Sequence, residues 1–278
     1  KVYAKVFMVG GLRAESSKNN GVGYLMTDLW GVESKSFSKD KVQALINGNG
    51  AALAATLGNN TFYLSLESLS NDFDFLFPVQ IDSVLNPLFS EDELDLSKHQ
   101  LLKKIEKRED DWGSISNYWF KKKFYDGHPY SLSRIGEKES VQTINSGDVA
   151  RFYQSFMEPT QMVISVFGDF DEKTTLKTID AAFSKLEKNN NAFNVNNRLE
   201  RRLHSMSSEE IIPIKQDVSA VFVGYDGLTI LNHDEFEKMD LVDTILSGTN
   251  YPGGRLHSIL RDKGYVYMVH ATSFMGIE

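Results

Sequence analysis

The chain predicts an α+β fold, and three observations carry that assignment. Val2, Ala4, Val6 and Met8 alternate with Tyr3 and Lys5, the period of a strand with one buried face. Residues 51–57 and 61–69 flank Gly58, Asn59 and Asn60, a hairpin signal between two short strands. From 70 to about 124 the apolar residues Phe73, Leu76, Phe77, Ile81, Val84, Leu85 and Leu88 recur three and four apart, around Pro78 and Pro87, as a helical layer requires.

Taken in order, the opening strand is an edge or half-buried one that enters the Gly10-Gly11 turn. A helix follows over about 22–30, and Ser38 caps a second over 39–46 that stops near Gly48-Asn49-Gly50. Ser90 opens a long helix with acids first and bases later, matching the helix dipole. The layer continues through 112–125, and GHPYSLSRIG (127–136) is a loop. Ser146 then caps a helix through Phe156, 162–167 reads as a buried strand, and 171–187 as another helix.

KNNNAFNVNNRLER (188–201) has six asparagines and no periodicity, which is linker composition. The boundaries that follow are a first domain over 1–190, a linker at 191–201 and a second domain over 202–278. In the latter, 218–224 and 266–274 read as strands, and 233–246 and 255–261 as helices. A chain that opens inside one strand-like segment and closes on another is expected to be part of a longer sequence.

With 278 residues, 41% hydrophobic and 12% aromatic, the chain can build one large core or two modest ones. Its 30 basic residues are scattered among 38 acids for a net charge of −8, which argues against nucleic acid as a partner. That balance points to basic substrates if the acids line a cavity. The absence of cysteine excludes disulfides and thiol chemistry. No apolar run approaches a membrane span, so the chain reads as soluble. Compartment stays open between bacterial periplasm or cell envelope and cytoplasm.

Further segments matter by their order. Gly11, Arg13 and Glu15 precede GVGYLMTDLW (21–30), residues 50–69 follow, and then come HPY with Gly136, VFGDFD (166–171) and GGRLHSILRDKGYVYMVHA (253–271). In this order and spacing they resemble the pitrilysin/insulinase zinc metallopeptidases (inverzincins), which include the mitochondrial processing peptidases, and the resemblance covers nearly the whole chain. It implies two homologous domains, each a mostly antiparallel sheet covered by helices, forming one half of a clam shell, with the second domain here cut short.

In that family the first helix reads HxxEH: two histidines four apart grip zinc, and the glutamate deprotonates a water. The three positions here are Tyr24, Thr27 and Asp28. The family's third ligand, a glutamate, falls on Lys104 within LLKKIEKREDDW (101–112), and an ammonium cannot ligate a cation. Glu106 lies two residues on, roughly 160 to 200° around a helix, and points elsewhere. No metal is expected in this chain, and zinc is expected in a partner.

The resemblance also assigns Arg261 and Tyr267 to contacts with bound peptide near the scissile carbonyl, where a guanidinium and a phenol suit an oxyanion. The plainer alternative is a solvated helix-end arginine and a tyrosine packed in a sheet. It places Gly50, Ala52, Ala54 and Thr56 on the strand to which an extended substrate adds through backbone hydrogen bonds, although active members carry asparagine where Ala54 sits. A small-residue strand packed beneath a helix is the equal alternative.

His128 reads as a loop residue, and His99, His204, His233, His257 and His270 have no ligand spacing. No GxSxG elbow is present, Gly253-Gly254 is too short for a phosphate loop, and Lys121, Lys122 and Lys123 read as a solvated helix face. Three functions remain: the non-catalytic half of a zinc endopeptidase, completed by a zinc-bearing homologous subunit or fused half; a protease-derived scaffold; or a module that captures extended peptides without cutting them.

Overall fold

The computed structural model describes residues 1–194, 209–214, 217–248 and 253–277. The chain divides into two compact units, Lys1–Asn197 with Ile212–Phe222, and Arg198–Ile211 with Val223–Glu278. The expected linker at 191–201 falls largely outside the described residues, as does His204.

In the larger unit, β1 (Val2–Val9), β2 (Ala52–Leu57), β3 (Thr61–Ser68) and β4 (Met162–Gly168) form one antiparallel sheet in the order β2-β3-β1-β4. Alternation decides its faces: Val2, Ala4, Val6 and Met8 of β1 and Phe62, Leu64 and Leu66 of β3 are buried, while the intervening side chains turn outward. The first strand is therefore central and half-buried. The last is an edge strand with Val163 62% and Phe167 77% exposed, so the expectation of a buried strand at 162–167 is corrected. Its apolar run has one covered face and lies at the sheet's border.

Eight helices of this unit are α1 (Val22–Leu29), α2 (Lys39–Gly48), α3 (Ser70–Leu85), α4 (Glu91–Lys107), α5 (Trp112–Phe124), α6 (Lys138–Thr143), α7 (Ser146–Gln154) and α8 (Glu172–Phe183). They cover the buried sheet face in two apolar clusters. One joins α1, α4 and α7 to β1 and β3 through residues such as Leu25, Met26, Leu101, Phe62 and Tyr153; the other seats Phe73, Leu76 and Phe77 of α3 against Val2, Ala4 and Leu66. Gln80, fully buried on α3, donates its amide to the carbonyls of Ala4 (3.0 Å) and Leu64 (2.9 Å), stitching the helix to two strands.

The cap of α7 is Asn145, not Ser146: its side chain accepts from the Asp148 amide, and Asp148 reciprocates to the Asn145 N–H. Ser38 and Ser90 occupy N-cap positions without a side-chain capping bond.

The smaller unit contains a 3-10 turn His233–Glu235, α9 (Phe236–Ser247), α10 (Gly254–Leu256) and a π-helical turn His257–Arg261. Gly248 ends α9 in the left-handed region, as a helix C-terminus favours. Neither 218–224, most of which belongs to the larger unit, nor 266–274 is a strand, which corrects that reading: among the described residues the smaller unit forms only an isolated parallel bridge, Thr229 with Gly276. Alternation sets a preference, but a strand exists only once a neighbour completes its ladder. Val221, 85% exposed, has the pattern without the neighbour.

Candidate functional site

The placement of α1 begins with Glu15. Its Oε2 accepts from the Gly21 amide and the Asn20 side chain (both 2.8 Å), and its Oε1 from the Gly23 amide (2.9 Å). The carboxylate thus holds the first turn of α1, where orphan N–H groups and the helix dipole favour negative charge. Burial nonetheless dominates and pushes the Glu15 carboxyl up to about 7, with the bonds from Gly21, Asn20 and Gly23 acting in the opposite sense. A Cβ at Gly23 would stand 2.6 Å from Glu15 Oε1, so the contact requires glycine there.

Val22, Leu25, Met26 and Leu29 enter the core, which leaves Tyr24 half-buried and Asp28 exposed on the other side of α1. Between that side and β2 lies a groove of about 580 Å³. Tyr24, Thr27 and Asp28 line it from the helix, Ala54 and Thr56 from the strand, and Arg134 and Ile135 from the 127–136 loop. Gly50 and Ala52 precede this stretch of β2 and are not part of the lining; Gly50 has a φ of 59° in the turn after α2. Because β2 is an edge strand, one side of its backbone has no ladder partner among the described residues.

The side chains at the positions that the resemblance assigns to zinc satisfy one another. Lys104, from α4, donates to the Tyr24 hydroxyl at 2.5 Å with its ammonium 5.2 Å from the ring centroid. That hydrogen bond, opposed by burial and assisted by the charge of Asp28, raises the Lys104 pKa. Ser97 donates to Asp28 Oδ2 at 2.5 Å, and Thr27 returns its hydroxyl to the Gly23 and Tyr24 carbonyls. Zinc does not fit this set: an ammonium and a phenol stand where three ligands would converge. Among the described residues no cluster of three His, Asp, Glu or Cys side chains could hold a metal. Glu106 faces elsewhere and pairs with Lys138 at 3.3 Å.

Arg261 and Tyr267 belong to the smaller unit. Arg261 ends the π-helical turn, exposed, and Tyr267 is 90% exposed on a segment that is not a strand, so the expected helix-to-strand turn is absent. His128 acts locally: its Nδ1 accepts from the Tyr130 amide at 3.1 Å, starting the 3-10 turn Pro129–Ser131. Sequence reasoning missed Arg134, Ile135 and Ser97. The first two lie inside the HPY loop segment it had singled out, whereas Ser97 is an interior position of α4 with no motif around it.

Residues 1–138 match the family described as Insulinase (Peptidase family M16), and residues 143–276 match the Peptidase M16 inactive domain. An uncharacterized zinc protease of Streptomyces coelicolor is 23% identical over 94% of this chain and 57% of its own length. Cytochrome b-c1 complex subunit 1 of Bos taurus is 22% identical over 65% of this chain and 38% of its own. The chain therefore spans little more than half the length of the first relative. Among solved structures, a protease from Helicobacter pylori superposes with TM-score 0.75 at 15% identity, covering 99% of this chain and 67% of that one. A peptidase M16 inactive domain from Pseudomonas fluorescens gives 0.74 at 19%, covering 95% and 63%. With residues 1–138 and 143–276 both matched, the chain belongs to peptidase family M16.

Proposed function

We propose that this chain is the non-catalytic half of a zinc metalloendopeptidase assembly, holding extended peptide while a zinc-bearing homologous subunit or fused half cuts it. The observation that carries this reading is the groove itself: the open edge of β2 runs beside the face of α1 that the family uses for zinc. An edge strand captures a peptide through main-chain hydrogen bonds, which give affinity without strict sequence preference. Ala54 and Thr56 leave room beside it.

In this assignment residues 202–278 are part of a second, homologous domain, and Arg261 and Tyr267 supply donors to the peptide at the partner's zinc site. Both side chains lack hydrogen-bond and ion-pair partners among the described residues, which leaves them free for that work. The test is reconstitution with the zinc-bearing partner: peptide turnover requires both chains, and Arg261→Ala or Tyr267→Phe lowers it. Unchanged turnover in both variants removes that role. The scaffold reading is favoured by one fact, the similarity to a cytochrome b-c1 complex subunit, and it predicts no peptide binding at all.

A further inference from the structure

We infer that the peptide this groove accepts is acidic, presenting carboxylates to Lys104, Tyr24 and Arg134. The inference rests on the peptide-holding reading above and deepens it. Over the whole sequence the net charge is −8, and from that balance alone basic substrates were expected. At the groove two cations, Arg134 in the lining and Lys104 bonded to the lining residue Tyr24, stand against one acid, Asp28.

Lys104 makes its hydrogen bond to a neutral group, the Tyr24 hydroxyl, with the charge of Asp28 nearby, and Arg134 bonds a neutral group too, through Nε (3.1 Å) and Nη2 (2.7 Å) to Asn59 Oδ1. Several other cations of the unit meet carboxylates, Lys39 with Glu93, Arg108 with Glu137 and Lys138 with Glu106, whereas Lys98 bonds the Gln142 and Ile144 carbonyls. Lys121, beside Arg134, has its ammonium disfavoured by burial first and by that guanidinium second. The one acid in the lining is Asp28, already bonded by Ser97.

The donors suit a carboxylate. Because Lys104 donates to the Tyr24 oxygen, the phenolic proton remains available, and no described residue accepts it. An ammonium and a polarised O–H therefore sit together, with Arg134 lining the same groove and its Nη1 uncommitted. Charge-assisted bonds from such groups are about twice as strong as neutral ones. A fixed ammonium supplies positive charge where the family would place zinc, yet it activates no water, so the site holds without cutting.

The experiment uses the full chain and three short labelled peptides of one extended backbone, carrying Glu, Gln or Lys at alternate positions, with binding read by fluorescence anisotropy. The Glu peptide is expected to bind about tenfold tighter than the Gln peptide at low salt and to lose that margin at high salt, with the Lys peptide weakest. Lys104→Gln combined with Arg134→Gln abolishes the Glu preference, while Lys173→Gln on α8 leaves it in place. Equal binding of all three, or preference for the Lys peptide, overturns the inference and leaves the groove a peptide site. Binding of none overturns both.

Discussion

The buried and groove-facing sides of α1 are held by different kinds of partner. On the buried side Val22, Leu25, Met26 and Leu29 fill the core and Glu15 fixes the first turn through three N–H donors. On the other, Tyr24, Thr27 and Asp28 are satisfied by Lys104, by backbone carbonyls and by Ser97. The core determines where the helix lies. The chemistry of the outward positions can therefore change without moving it.

The largest effect that would sharpen this contrast is restoration of the metal. Tyr24→His, Thr27→Glu, Asp28→His and Lys104→Glu together should retain about one zinc per chain after dialysis, since zinc sites of this type bind with roughly 10 kcal/mol or more. Elemental analysis reads the result. A folded quadruple variant with no zinc would mean that α1 and α4 are not placed as the family needs them.

Next comes the core against the groove. Leu25→Ala should destabilise by about 3 kcal/mol, as removal of a fully buried leucine does. Tyr24→Phe should change stability by less than about 0.5 kcal/mol, because it removes one partly exposed hydrogen bond. Urea denaturation of the two compares the sides directly; similar losses would break the distinction.

The pH dependence follows from Glu15. Its folded pKa, about 7, stands above the ordinary 4.5, so between these values the folded state binds the extra proton. Stability from this group is therefore greatest in acid and falls as pH rises from 4.5 through 7, by up to about 3 kcal/mol. Glu15→Gln should flatten that slope in melts taken across the range. A slope that persists unchanged in the variant would place its origin elsewhere.

Local pattern made much of this legible in the sequence. The β2–β3 hairpin and α1 announce themselves through a short turn and through regular spacing, because the residues that decide them are neighbours. The central place of β1 did not, since it depends on β4 arriving from more than 150 residues away. Alternation at 218–224 and 266–274 misled for the same reason: it expresses a preference that no ladder completes. Family spacing pointed to Tyr24, Thr27 and Asp28 together with Lys104, although Lys104 meets Tyr24 across 80 residues. Arg134 lay in a matched segment with no role attached and Ser97 carried no mark at all; the place of one in the groove and the bond of the other to Asp28 emerge only from the packed helices and the 127–136 loop.

The central claim is that this chain grips peptide but cannot hydrolyse it. The most direct measurement incubates the purified full chain with zinc and a quenched fluorescent peptide, with and without chelator, while anisotropy follows binding. The account predicts saturable binding and no turnover under either condition; chelator-sensitive cleavage by this chain alone would contradict it.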